Sequence, residues 1–533
     1  VGTLPDFSID SLRGGQDDFT PISALAKDAC ALAENVEFFY STLGERRAGC
    51  SAIANTIPAG ISGDAVLDAV VWMFHHQPTT VESADELWVI TRDTDDVCKC
   101  YRLKASGWTT VTFPTANDTP LMTNNNGYNI YAVSLHGKMY MAYKSAVDRL
   151  HCWDGTSIRV VGLAAHAAAP TVANTGGGTY SAVARYYRTR SIVKTGTVVN
   201  RRSEPSANST VFTPSGGGTA ALVTRPTDVG EGTTHWEIEV SLDGTTFYRL
   251  SQVVIGTTTY SDSASVETYS ANTLSDPLLS YDLIPSVKYL ATDEDRLILG
   301  GSWQTTADGS AVRWTPVGLD PLPGADERLD DNNDPRLDLD GLEGGDITNV
   351  SRVINGSIII HKNSHIYKLM RTGQLVGSYE AQCMTKSRGA LPRSVIEASD
   401  QQGRPALYFL DPKTGPMRIG ANGLEFCGYD THTIWQRVNP SAILPCHGVY
   451  YAAKYQVHWW VSLDAETYPA NKLVLQTNEM RSGSAEQGAR RGWSIVPTPA
   501  RIAAARCSVM WATNIATPTL TQVPFIGKTT WTV

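Results

Sequence analysis

Charge is scarce in this chain of 533 residues: Asp, Glu, Lys and Arg make up 18%, against ~25% in an ordinary soluble domain. Acids outnumber bases 53 to 44, and a net charge of -9 is the wrong balance for gripping nucleic-acid phosphates, so tight DNA binding is not expected. No apolar run reaches the ~18 residues that a membrane helix needs, and residues 1–12 have neither a basic nor an apolar signal region. Neither a membrane span nor a secretory signal is therefore expected. The nine cysteines are odd in number and contain no C-x-x-C pair; they read as reduced, mostly buried thiols of a protein made in a cytoplasm. Catalytic signatures are missing too: there is no G-x-S-x-G, H-E-x-x-H, G-x-x-x-x-G-K-[ST] or G-x-G-x-x-G. The near pairs His75 and His76, His361 and His365, and His447 and His458 lack neighbouring ligands at metal spacing. No catalytic residue, metal or cofactor is expected.

What the chain does hold is Gly, Ser, Thr, Asn and Pro, with 9% aromatics, the profile of short strands joined by tight turns. A helix is predicted over 22–38 after Thr20-Pro21, giving way after Asn35 to a strand in VEFFY. A second, buried helix is predicted over 63–76 with Ser62 as its cap. From about residue 84 one theme repeats, a strand, a polar turn, an aromatic strand and a Gly-Trp or Trp-Asp-Gly corner, at 86–111, 137–161, 295–317, 355–373, 406–426 and 449–464. Each unit has two apolar faces and cannot bury both alone. The fold class is therefore mainly β, a β-propeller of about six or seven blades, with a pair of β-sandwiches as the competing arrangement.

The repeat is interrupted at about 168–280 by strands flanked by Gly-rich spacers, which suit a seven-stranded immunoglobulin or fibronectin-like sandwich inserted in the propeller. The expected organisation is an N-terminal arm with helices (1–80), first blades (81–165), the inserted sandwich (166–284), remaining blades (285–500) and a closing C-terminal segment (501–533).

The most charged stretch, 324–346, contains Asp326, Asp330, Asp331, Asp334, Asp338, Asp340, Glu343 and Asp346. Oxygen ligands at this density suit Ca²⁺, but the spacing is not that of an EF-hand, and a solvated acidic loop is the simpler reading. In a channel, Asp330, Asp331, Asp334, Asp338 and Asp340 would repel DNA and keep it from sticking. SLDGTTFYRL is similar to the Asp-box turn of sialidases but one residue short, and reads as a hairpin turn on Asp243-Gly244. Tyr186, Tyr187, Trp459 and Trp460 would suit a sugar platform, with at most one of each adjacent pair on a given face.

Three collinear patterns carry a resemblance. The first is A-x-A-E-N-V-E-F followed by G-x-R-R-x-G, with Asn35, Val36, Gly44, Arg46, Arg47 and Gly49. The second is YYRTRSIVKTGTVVNRRSEPS. The third runs from GGDITNVSRVINGSIIIHKNSHIYKLMRTG to RRGWSIVP, with Lys362, Ile366, Tyr367, Gly389, Ala390, Ser394, Val395, Tyr408, Phe409 and Leu410. Together they resemble the tail nozzle proteins of short-tailed bacteriophages, the tail tubular protein B-like family of podoviruses. The resemblance implies a non-enzymatic virion protein with a β-propeller, assembled as a homo-oligomeric ring of six. That ring would lie below the tail adaptor protein, contact tail fibres or tailspikes, and pass double-stranded DNA. Arg46 and Arg47 are the candidate interface residues. A stopper or baseplate ring, or a glycan-binding or glycan-hydrolysing propeller, is the alternative.

Overall fold

The computed structural model describes most of residues 67–111 and 130–477, together with the short strands Gly15–Gln16, Ala29–Cys30, Val36–Phe38, Gly44–Arg46, Trp493–Pro497, Met510–Trp511 and Gln522–Val523. Outside the insertion, six four-stranded sheets follow one another along the chain, each antiparallel with its strands in sequence order. These are blades 1 (67–111), 2 (131–160), 3 (287–338), 4 (347–385), 5 (396–426) and 6 (447–497) of a β-propeller. First strands lie innermost: Tyr131–Leu135 contacts Leu67–His76 and Val287–Asp293, and Val287–Asp293 contacts Ile347–Ile354. The first strands of blades 5 and 6 contact each other as well. Among the described residues, no helix is long and apolar enough to cross a membrane.

The apolar clusters lie between blades. Trp72, Trp88, Cys100 and Met139 join blades 1 and 2, with the Trp88 and Trp153 rings edge to face at 5.1 Å. Tyr140, Leu299 and Ile360 belong to a cluster spanning blades 2 to 4, and Tyr408, Trp459 and Leu473 to one joining blades 5 and 6. A blade stripped of its neighbours would expose both faces, so apolar burial favours continued stacking.

The predicted helix over 63–76 is corrected: Leu67–His76 is the first strand of blade 1, and residues 63–66 lie outside the described residues. Apolar side chains all round a ten-residue run suit a strand buried on both faces as well as a helix, and the β-branched and aromatic VVWMF favours the strand. Trp72 and Phe74, two residues apart, stack at 5.9 Å on one face, while Met73 is buried on the other. Blade 1 thus begins inside the span expected for the N-terminal arm. In the predicted helix over 22–38, Ala29–Cys30 is a strand paired with Gly15–Gln16, and Val36–Phe38 is the strand expected after Asn35. Val36–Phe38 pairs antiparallel with Gly44–Arg46, and this hairpin contacts Trp493–Pro497, the outer strand of blade 6. Arg47 lies outside the described residues.

The insertion is a sandwich of seven strands, in sheets of three and four, around Tyr187, Trp236, Ile238 and Tyr269. The other face of its central strand, Tyr186–Thr195, carries an ionic ladder. Arg188 and Arg190 both donate to Glu239, the latter at 2.7 Å, and Arg202 bridges Glu237 (3.0 Å) and Asp276 (2.7 Å). Ser203, Ser206 and Ser209 run alongside this strand. Each donates its N–H to the carbonyl of Ser191, Thr189 or Tyr187 and accepts that same residue's N–H on its hydroxyl. The R-R-S-E-P-S pattern is a substitute strand that satisfies an edge. As expected, Asp243 and Gly244 make the hairpin turn, with Asp243 accepting the N–H groups of Thr245 (2.8 Å) and Thr246 (2.7 Å).

Candidate functional site

A cavity of about 660 Å³ opens where the sandwich meets blades 2 and 3. Its floor is Glu327, in a short turn entered through Gly324, whose φ of 70° is left-handed. Arg159 grips Glu327 with both terminal nitrogens (2.7 and 2.8 Å), and Lys138 donates to it at 2.6 Å. Lys138 also donates to Asp326 (2.9 Å), which accepts the Tyr140 hydroxyl at 2.6 Å. Asp154 takes the Arg159 Nε at 3.1 Å. From the sandwich, Arg201 donates to the Gly162 carbonyl (3.0 Å) and the Glu231 carbonyl (3.2 Å). The Glu231 carboxylate accepts from Arg149 and from the Ala164 N–H, tying the sandwich to blade 2 and the segment that follows it.

Burial pushes the Glu327 carboxyl up, but the Arg159 hydrogen bonds and the Lys138 charge outweigh it and hold the group at about 2. Burial alone would lower Lys138; Glu327 and Asp326 raise it above its ordinary value. Three cations (Lys138, Arg159, Arg201) face three anions (Asp154, Asp326, Glu327) across the cavity. Such a set carries no surplus charge to draw an ionic ligand. Its pairs form a seam between blade 2 and the turn of blade 3, which Arg201 of the sandwich approaches at 4.0 Å from Glu327.

The acidic segment beside it is knitted into the same framework. Asp330 is buried and accepts Asn333 Nδ2 at 2.9 Å; Asp334 is buried and accepts the Ser378 N–H (2.9 Å) and hydroxyl (2.8 Å). Asp331 meets Arg313 at 3.4 Å. Asp338 meets Arg336 at 3.2 Å, and Asp340 meets Lys386 at 3.0 Å, both side chains remaining partly open to solvent. Of the five aspartates, Asp338 and Asp340 are therefore the most exposed, and Glu343 of the same segment is more exposed than either. No three His, Cys, Asp or Glu side chains among the described residues converge as metal ligands.

Lys362 explains how this loop is shaped. Its buried ammonium donates to the carbonyls of Leu339 (2.8 Å), Gly341 (3.0 Å) and Glu343, and Tyr367 donates its hydroxyl to Asp340 at 2.8 Å. Gly389 passes so close that a Cβ there would lie 2.2 Å from the Lys362 carbonyl oxygen. The Lys-x-x-x-Ile-Tyr and Gly-Ala patterns are thus parts of one clasp. Replacing Lys362 by Met leaves three carbonyls without their cation, each costing ~1–3 kcal/mol if buried. The expected result is a lowered melting temperature and faster proteolysis within 339–346, read by mass spectrometry of the fragments.

Tyr187, Trp459 and Trp460 are fully buried, so they offer no sugar platform; Tyr186 is half-buried with its ring against Gly244. His361 lies in the core with its ring 4.7 Å from Phe409. Cys100, Cys152, Cys427 and Cys446 are buried and Cys383 is exposed, none of the five in a disulfide. Sequence reasoning missed Lys138, Arg159, Arg201 and Glu327, whose only local signal is the Pro323-Gly324 turn.

No family model matches the chain, and no curated protein matches it. Among solved structures it is similar to apo AztD from Citrobacter koseri, at 10% identity over 78% of this chain and 87% of that one, with a TM-score of 0.29. It is also similar to a PQQ-bound aldose sugar dehydrogenase from Streptomyces coelicolor (11% identity, 80% and 96% covered, TM-score 0.19). A GH74 xyloglucanase from Xanthomonas campestris matches at 12% identity over 78% of each chain, with a TM-score of 0.18. At such distances, the activities of those proteins do not transfer to this one. The chain is a β-propeller protein with an inserted β-sandwich.

Proposed function

We propose that this chain is a non-catalytic structural subunit that closes into a ring, the nozzle of a short bacteriophage tail. The observation that carries the reading is that the residues of its collinear motifs serve architecture. Lys362, Tyr367 and Gly389 form a clasp, and Arg188, Arg190, Ser203 and Ser206 brace the sandwich. The charged cavity supports it too, since its groups are paired between blades 2 and 3. A nozzle works by geometry: rigid blades hold a channel at fixed width while subunit contacts close it.

In this reading six copies assemble below the adaptor, support fibres or tailspikes, and let double-stranded DNA slide without specific binding. The protein is made in the host cytoplasm and resides in the virion tail. Asp338 and Asp340 are the carboxylates offered to the lumen. The test is mass photometry of the full chain over a range of concentrations. The expected result is a species of six times the 57.7 kDa chain mass. A persistent monomer that binds or cleaves glycans would overturn the reading.

A further inference from the structure

The chain returns from the sandwich to blade 3 through residues 276–284, and both modules hold this return. On the sandwich side, Asp276 accepts from Arg202 (2.7 Å) and from the Tyr281 hydroxyl (2.6 Å), and Glu204 accepts the Tyr281 N–H at 2.7 Å. On the blade side, Asp282 donates its N–H to the Leu329 carbonyl (3.2 Å) and accepts the Leu329 N–H (2.9 Å), while the Leu279 carbonyl accepts the Asp331 N–H at 3.0 Å. The buried Tyr281 ring is shared by the two modules. Its centre lies 5.6 Å from the Arg190 guanidinium of the sandwich and 5.3 Å from that of Arg328, which follows the turn of blade 3. The return is therefore a joint whose closure is reported by the amides of Tyr281, Asp282, Leu329 and Asp331.

Inside this joint the Asp282 Oδ2 is buried and has no hydrogen-bond partner among the described residues. The charged groups that act on it are Glu204 from the sandwich, Asp330 and Asp331 from the segment paired with the return, and Arg313 from the third strand of blade 3. The cations are engaged by other partners. Arg313 lies 3.4 Å from both Asp331 oxygens, and Arg328 donates to the Ser280 carbonyl (2.6 Å) and stands 3.7 Å from Asp330. A buried carboxyl oxygen that faces like charges and receives no donor is costly to ionise and easily accommodated when neutral. Burial first, then Asp331 and Glu204, push the Asp282 carboxyl up to about 6.

We propose that the return is a proton-gated joint between sandwich and propeller, which Asp282 keeps closed as a neutral carboxyl in mild acid and loosens as a carboxylate at neutral pH. The sign follows from linkage: an aspartate freed by opening titrates near ~3.9, below its value in the closed joint, so closure is firmest in acid and weakens as pH rises through about 6. Contacts of Arg201 and Glu231 keep the sandwich attached in both states. The joint lies within one chain and works whether or not the ring forms. The experiment is amide hydrogen exchange on the full chain at about pH 5 and about pH 7.5, corrected for the intrinsic pH dependence of exchange, in wild type, Asp282→Asn and Asp331→Asn. In the wild type, protection of peptides covering 276–284 and 327–333 is expected to fall about tenfold from acid to neutral pH. Asp282→Asn, neutral at both values, keeps the acid level of protection throughout, and Asp331→Asn shrinks the change. Equal wild-type protection of these peptides at both values overturns the joint, and so does an Asp282→Asn variant that retains the wild-type pH dependence. Should the Asn variant fail to fold, the wild-type profile decides alone.

Discussion

Replacing Glu327 by Gln is expected to destabilise the protein by about 3–5 kcal/mol, because removing one member of a buried ionic set strands the others. Arg159 would lose a two-pronged partner and Lys138 its closest one, while Asp326 alone cannot neutralise both. The damage falls first on the seam. Limited proteolysis should cut the turn at 324–328 well before the rest of the blades is digested, and scanning calorimetry should show a lowered melting temperature. Glu327→Asp, which keeps the charge but shortens the reach, should lie between the two. Wild-type proteolysis and melting in the Gln variant would mean that the paired groups do not hold blades 2 and 3 together.

Acidification is the second large effect. Burial pushes His76 and His151 down to about 4 and His361 down to about 3, and all three are almost fully buried. In the unfolded chain a histidine takes up its proton near pH 6.5. Between that value and the folded ones the unfolded state binds more protons, so stability is complete above pH 6.5 and falls as pH drops. The largest penalties amount to about 3 kcal/mol for each of the first two groups and about 5 kcal/mol for His361. Below about pH 4.5 Glu327 adds a loss of the same sign as its ion pairs are protonated. Asp282, raised to about 6 mainly by burial and then by Asp331 and Glu204, works in the opposite direction but is half exposed, so its offset is small. Melting temperatures from pH 7.5 to 4 should fall steeply below about 6, and His361→Leu should flatten the slope. A flat profile would show that these rings ionise without unfolding the core.

How much of this was legible in the sequence depends on the range of each interaction. The blades were readable because strand, turn and aromatic corner recur locally, and the insertion because its Gly-rich flanks and strand spacing differ from the repeat. Leu67–His76 was misread since a run buried on both faces has no periodicity to separate strand from helix. The seam was not readable at all: Arg159 and Lys138 meet Glu327 from 168 and 189 residues away, and only the folded propeller places them together. Density of aspartates suggested one solvated loop. In the fold, Asp330 and Asp334 are internal supports, and Lys362 supplies from a neighbouring strand the cation that shapes the rest.

The most direct test of the ring is electron microscopy of the assembled full chain, with class averages viewed down the symmetry axis. The account predicts closed rings of six subunits around a hole wide enough for a DNA duplex, with the sandwiches held at fixed positions in every subunit. Single propellers in every field, at all concentrations tried, would contradict it.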